Sequence, residues 1–417
     1  MNNGDSTKTS SKVVLPVAPS ERISQIDTLR GFALLGILLM NIQYFSMIGA
    51  AYLNPTAYGD LNGLNRLVWM FSNVFANLKF VTIFSMLFGA GIVLMTSKIE
   101  AKGRGSAGIH YRRTFWLLII GLIHAHIFWS GDILVPYALC ALIAWLFRKV
   151  SPGKLLATGI VLFAVASALY IFFGSTMQYW PEASIQQTLA TWKPNVEQIA
   201  EKLTHYRAGF FGQMRYRVED SIFFETAYFM IHTSWRIGGM MLIGMAFFKW
   251  GIVTGRRSAK FYTWMIAMGF GIGLPLVIFG MYRNFAAGWA MEYSFFLGSQ
   301  FNLWGSFFVS SAYIGIIMLI CRLGFMKGVT SRLAAVGRMA LTNYLAQTLI
   351  CTTIFYGHGF GLYGSVERKY QILIVIAVWI LQLVVSPVWL RYFRFGPVEW
   401  VWRSLTYARR QPMRVGK

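Results

Sequence analysis

The sequence predicts an all-α fold: a polytopic integral membrane helical bundle of about ten transmembrane helices, with both termini cytoplasmic. Three observations carry that reading. The 417-residue chain is 56% hydrophobic and only 13% charged, a balance outside that of ordinary soluble domains. Its apolar residues gather in ten runs, at about 29–50, 78–97, 114–130, 133–147, 154–174, 223–248, 261–282, 302–321, 339–357 and 370–390, of a length suited to crossing a bilayer. Its basic residues lie between those runs, and mostly on alternate connections.

The basic residues also set the orientation. Ten crossings return the chain to its starting side. The termini and the 96–114, 148–155, 249–260 and 322–338 connections hold 27 of the 38 Lys and Arg, against nine on the opposite connections. The positive-inside rule therefore puts both ends in the cytoplasm. The same rule accounts for the formal net charge of +23 with the lipid bilayer as partner and no nucleic acid.

Each element follows in order. Residues 1–26 are a polar cytoplasmic tail rich in Ser, Thr and Lys, and no small-residue cleavage site follows the first apolar run, so that run reads as a retained span. Residues 27–174 form a first membrane half of five spans, in which 133–147 is short. The 175–222 connection carries Pro181, Pro194 and an amphipathic stretch from Val196 to Leu203. It predicts interfacial helices on the outer face, which either cap a site or lie on the lipid. Residues 223–390 form a second half of five spans, and 391–417 a basic cytoplasmic tail. Glycines inside the spans, Gly89 and Gly244 among them, suit close helix approach in lipid. Cys140, Cys321 and Cys351 all lie in apolar runs without metal-ligand spacing, so neither a disulfide framework nor a metal site is expected.

Polar side chains inside the spans are the candidate functional groups, because each is costly there unless it meets a partner, a wet cavity or a ligand. Asn41 stands eleven residues beyond Arg30 in the first run, roughly 16 Å along a helix and near the membrane midplane. His124 stands at the same offset from Arg113. Asp132 follows after the tight Ser130-Gly131 connection. A histidine with a nearby carboxylate suits general-base chemistry, though a packed histidine and a helix-capping Asp132 would read the same way. His232 and Arg236 share a helix face, and the arginine calls for a carboxylate such as Asp132 or an anionic ligand. Asn343 and Gln347 face one way in the ninth run.

Several stretches resemble a known family. Asp27-x-Leu-Arg-Gly-Phe-Ala-Leu-Leu-Gly-Ile-Leu-x-x-Asn41-Ile, Leu87-Phe-Gly-x-Gly91, His124 through Gly131-Asp132-Ile-Leu-x-x-Tyr137-Ala138, Gly337-Arg-Met-x-Leu-Thr-Asn-Tyr344-x-x-Gln347 and Phe395-Gly-Pro-Val-Glu-Trp-x-Trp402-Arg403 resemble the YeiB-like bacterial membrane proteins. The C-terminal half of that family is a domain of unknown function (DUF418). The resemblance implies a multi-pass protein of the bacterial inner membrane. More distantly, the chain is similar to membrane acyltransferases of the acyltransferase-3 type, which place a catalytic His where Asn41 stands, and to heparan-alpha-glucosaminide N-acetyltransferase, which shares the Asp-x-x-Arg-Gly and the Asn. The latter family uses a His eleven residues further on, where this chain has Tyr52. If the chemistry is shared, His124 is the substitute.

The resemblance implies a transmembrane acyltransferase with no covalently bound cofactor. Cytoplasmic acyl-CoA would dock its phosphates on Arg30, Arg112 and Arg113, Arg being suited to phosphate forks. His124 would deprotonate an outer-face acceptor, oriented by Asp132, with Asn41 donating to the oxyanion. His232, Arg236, Asn343 and Gln347 are further candidates for substrate binding. Two alternatives stand beside this one: a transporter or exporter of a small or lipidic solute, for which midplane ionisable groups are equally apt, and a non-catalytic membrane protein.

Overall fold

A computed structural model describes residues 22–415; residues 1–21 of the predicted polar tail lie outside the described residues. Among the described residues the regular structure is helical, and the only β pairing is an isolated bridge between Phe393 and Arg414. The first half comprises α1 (Ser24–Ser46), α2 (Gly49–Leu53), α3 (Gly63–Phe75), α4 (Lys79–Glu100), α5 (Ala107–Ile123), α6 (Leu134–Ala144) and α7 (Pro152–Thr176). Three helices follow in the long connection: α8 (Glu182–Trp192), α9 (Val196–Arg207) and α10 (Met214–Glu225). The second half comprises α11 (Ser234–Lys249), α12 (Ala259–Ala286), α13 (Met291–Ser294), α14 (Leu297–Leu323), α15 (Lys327–Arg338), α16 (Ala340–Phe355), α17 (Arg368–Tyr392) and α18 (Pro397–Thr406).

A helix lies at each of the ten apolar runs, but the runs differ in kind. Six stretches are long and apolar enough to cross a membrane unaided: α1, the α3–α4 run, α7 with the short turn after it, α12, the α13–α14 run, and α17. The others are shorter or interrupted. A π turn at His124–Phe128 extends α5, another at Phe229–Thr233 precedes α11, and α6 ends in a 3₁₀ turn at Trp145–Lys149. Such turns free backbone groups, which must then find partners inside the protein.

The sequence places the ends of these helices where the chemistry requires. Pro152 and Pro397 occupy first turns, where a missing N–H costs nothing. Asn195 and Gln198 close a capping box on α9. Gly324 ends α14 with φ +71°, a conformation that favours glycine.

The bundle is centred on α1, which has 78% of its apolar window buried, against 22% for α17. Trp264, Leu373 and Ile380 on α12 and α17 are exposed, as a lipid-facing surface requires. Close crossings hold the centre together. A Cβ at Gly31 would strike the Leu333 carbonyl of α15, and one at Gly337 would strike the Asp27 carbonyl of α1. Gly89 of α4 and Gly244 of α11 are paired the same way, against Met241 and Met86. Without a hydrophobic drive between helices in lipid, such contact supplies the attraction.

Candidate functional site

A cavity of about 260 Å³ opens on the basic face of the bundle, the face that bears both the start of α1 and α18. Its mouth is lined by Arg22, Asp27, Arg30, Arg113, Arg338, Glu399 and Arg403, and its deeper walls by Leu34, Ile37, Phe84, Leu117, Tyr137 and Tyr344. Charge at the mouth is poorly compensated. Arg30 pairs with Asp27 at 2.8 Å. Glu399 is occupied otherwise: its carboxylate accepts from the Leu341 and Thr342 N–H groups and from the Thr342 hydroxyl, and so caps α16 from across the mouth. Among the described residues, Arg22, Arg113, Arg338 and Arg403 form no ion pair. Arg113 stacks on Trp402, its guanidinium carbon 4.6 Å from the ring, and Arg338 Nε is buried without a hydrogen-bond partner.

The titration behaviour of these groups reflects the same crowding. Burial lowers the Arg22 guanidinium to about 10, with Arg403, Arg338 and Arg30 adding to the shift and Asp27 opposing it. Burial likewise lowers Arg403, and it raises the Glu399 carboxyl against the pull of its hydrogen bonds. Four guanidiniums without an ion pair among the described residues concentrate positive charge at one mouth.

Beyond the closed end of the cavity lies a buried polar chain. His124 Nδ1 is 2.6 Å from Asp132 Oδ1, and both side chains are 2% exposed. On its other side, His124 Nε2 is 2.9 Å from Thr348 Oγ1. Asp132 Oδ2 accepts from the Val135 N–H at 2.8 Å and caps α6. The carboxylate can only accept, so for a neutral ring Nδ1 carries the proton, and Nε2 is left to accept from the Thr348 hydroxyl. An acid, an imidazole and a hydroxyl in this order can move a proton between the hydroxyl and the ring.

Helix periodicity connects the cavity to this chain. On α1, Arg30, Leu34 and Ile37 line the cavity, and Asn41 lies one turn further along the same face. On α16, Leu341 and Tyr344 line it, and Thr348 lies one turn beyond. Arg113 and Leu117 of α5 lead toward His124 in the same way. The Tyr344 ring belongs to both compartments, with its centroid 5.2 Å from that of His124. Asn41 is part-buried and makes no hydrogen bond among the described residues, so its amide is available to donate.

The π turn after His124 is held from the opposite face of the bundle. Ser221 of α10 donates to the Ala125 carbonyl, and Arg217 donates to those of Ile127 and Phe128. His126 pairs with Glu225 at 3.0 Å. Helix α10, at the end of the long connection, therefore holds the turn that carries the histidine.

The other candidate residues fall elsewhere. Arg112 does not join Arg30 and Arg113 at the mouth; it lies in a groove on the far side of α18, because neighbouring helical residues point about 100° apart. Asp132 is not the partner of Arg236, since both its oxygens are engaged by His124 and Val135. Arg236 forms no ion pair among the described residues and its Nε is buried without a partner. His232, beside it, packs on Tyr170 and Tyr228. Asn343 and Gln347 form a ladder between α16 and α17: Asn343 donates to Ser386, Gln347 to Gln382, and Gln382 back to the Asn343 carbonyl. They do not line the cavity. Sequence reasoning missed Thr348, Arg22, Arg338 and Arg403. Among the described residues no cluster of His, Cys, Asp and Glu could hold a metal ion.

Comparison with known sequences yields one family and close relatives. The profile of a family described as a protein of unknown function (DUF418) matches residues 247–409. A protein of Escherichia coli (strain K12), uncharacterized protein YeiB, is 35% identical over 398 residues, spanning 93% of this chain and 96% of the relative. Uncharacterized protein YxaH of Bacillus subtilis (strain 168) is 33% identical over 95% of this chain and 97% of its own length. An uncharacterized 39.9 kDa protein from the amylase 3′ region of Bacillus acidopullulyticus is 29% identical over 96% of this chain and 99% of its own length.

Proposed function

The chain belongs to the YeiB-like family of membrane proteins, and from that premise we propose that it is a transmembrane acyltransferase of the bacterial inner membrane. The observation that carries the reading is the alignment of one cavity with one buried polar chain. An arginine-lined mouth and an apolar wall stand in helical register with a buried Asp–His–Thr chain and with Asn41. In this reading the basic face is cytoplasmic. The phosphates of acyl-CoA rest on Arg22, Arg30, Arg113, Arg338 and Arg403, and its pantetheine arm and thioester run up the cavity toward Tyr137 and Tyr344.

The chemistry then balances as follows. An acceptor hydroxyl or amine from the outer face forms a new bond to the thioester carbonyl carbon. Its proton passes through the Thr348 hydroxyl to His124 Nε2, and Asp132 stabilises the imidazolium. Asn41 donates to the carbonyl oxygen as negative charge develops there. The C–S bond breaks, and the CoA thiolate takes the proton back from the imidazolium. An acyl group is thereby moved across the membrane while CoA leaves on the cytoplasmic side.

One observation favours a second reading, that of a transporter for a small or lipidic anion. Arg236 sits in the membrane layer without a carboxylate, just after a π turn, and interrupted helices with unpaired cations suit a substrate pathway. Proteoliposomes separate the two. Acyl transfer predicts CoA thiol release matched by acylated acceptor, lost in His124→Ala and reduced at least about a hundredfold in Asn41→Ala. Undiminished transfer in both variants would sink the reading. Solute flux without CoA, sensitive to Arg236→Ala, would establish the transporter instead.

A further inference from the structure

A second concavity lies on the other side of α18, and its construction differs from that of the cavity. Helix α18 presents Glu399, Trp402, Arg403, Thr406 and Tyr407 to the cavity, and Trp400, Val401, Ser404, Leu405 and Ala408 to a groove against the start of α5. The two sets alternate with helical periodicity, so α18 is a partition with two working faces. The groove has a volume of about 780 Å³. Its floor is apolar, with Phe115 and Val401 53% and 43% exposed. Its rim holds Arg112, Arg409 and Arg410, and among the described residues no carboxylate lines it.

None of these arginines forms an ion pair among the described residues. Arg112 donates to the Thr406 carbonyl at the end of α18, and the Arg410 guanidinium lies 5.8 Å from the Trp400 ring centroid. The arginine fork is thus tied to the helix that walls the groove while its remaining N–H groups stay free. Phe115 is one turn into the membrane layer from Arg112. Tryptophan beside arginine at that depth is the pattern of a membrane–water interface.

We propose that this groove docks an anionic phospholipid of the basic-side leaflet, with its phosphate on Arg112, Arg409 and Arg410 and an acyl chain along Phe115 and Val401. Charge argues for the phosphate: among the described residues, three cations face no acid. The floor argues for the chain. A soluble phosphate would satisfy the rim and leave exposed apolar surface uncovered, whereas a lipid covers both. The assignment is independent of the chemistry in the neighbouring cavity.

Native mass spectrometry of the full chain in neutral detergent tests it, with phosphatidylglycerol and phosphatidylcholine of identical chains as probes. One phosphatidylglycerol should be retained with at least roughly tenfold higher affinity than phosphatidylcholine. The triple variant Arg112→Gln, Arg409→Gln, Arg410→Gln should erase that preference, and the corresponding lysine variant should keep most of it. Equal binding of the two lipids by the unmodified chain would overturn the proposal, whether or not the glutamine variant folds. Displacement of phosphatidylglycerol by inorganic phosphate at matched concentration would also overturn it, by identifying a free-anion site. Phe115→Asn with Val401→Asn should weaken phosphatidylglycerol; unchanged retention there would remove the acyl chain from the groove.

Discussion

The basic and opposite faces of this bundle treat charge in opposite ways. At the opposite face, several charged groups take partners from the protein itself, although Arg217 Nε, Arg368 Nε and Glu225 Oε1 are buried without one among the described residues. His126 holds Glu225, Arg217 holds backbone carbonyls of the π turn, and Arg368 holds those of Pro55, Tyr58 and Asp60. At the basic face, four arginines line one mouth without ion pairs among the described residues, and three more rim the groove behind it. Charge tied to the protein holds elements together, whereas charge without an acid beside it can receive an anion. On the proposed reading, the difference gives the molecule a direction, with anions received on the basic side.

Four changes would break or sharpen that contrast. The largest effect is expected from Gly337→Val, which forces α15 away from α1 at the Asp27 carbonyl and pulls the mouth apart. Thermal unfolding in detergent should show a loss of at least about 3 kcal/mol; a stable variant would mean that this crossing does not build the mouth. Next comes Asp132→Ala, which strips partners from His124 and the Val135 N–H. It should lose about 2 kcal/mol, together with any acyl transfer. Arg403→Gln should do the reverse at the basic face, leaving stability unchanged or raised by about 0.5 kcal/mol while weakening polyanion binding. If it destabilised as Asp132→Ala does, the two faces would not differ in the way described.

The smallest effect concerns pH. Burial pushes the Asp220 carboxyl on α10 up to about 6, and Glu219 adds to the shift while Lys202 opposes it. Its folded-state value lies above the ordinary one, so its contribution to stability is complete below about pH 4 and is lost as pH rises through about 6. Amide exchange of α8–α10, corrected for intrinsic rates, should be slower at the acid end of that window. Asp220→Asn should flatten the difference.

What could be read in the sequence was what is local. The offset from Arg113 to His124 and the short turn to Asp132 lie within one stretch of chain, so their meeting followed from helix geometry alone. Thr348 stands 224 residues from His124, and nothing in its own neighbourhood marks it. Arg403 faces the cavity and Arg410 the groove only because of how α18 docks. The separation of Arg112 from the mouth has the same origin: periodicity shows that Arg112 and Arg113 diverge, but it does not say which of the two a distant helix will meet. The ten apolar runs all became helices. Their unequal lengths were less legible, because π and 3₁₀ turns near His124, His232 and Trp145 are stabilised by partners far away in the chain.

A π turn is a helix carrying one residue too many, and at His124–Phe128 that surplus has an arithmetic consequence. Deleting one residue between His124 and Asp132 would let the ladder close as an ordinary helix while turning everything after it by about 100°. The carboxylate would swing off the imidazole. Deleting one residue between Arg113 and His124 would leave the pair intact and rotate it as a unit away from the mouth. The number of residues before the turn sets where the histidine looks, and the number after it sets what holds it.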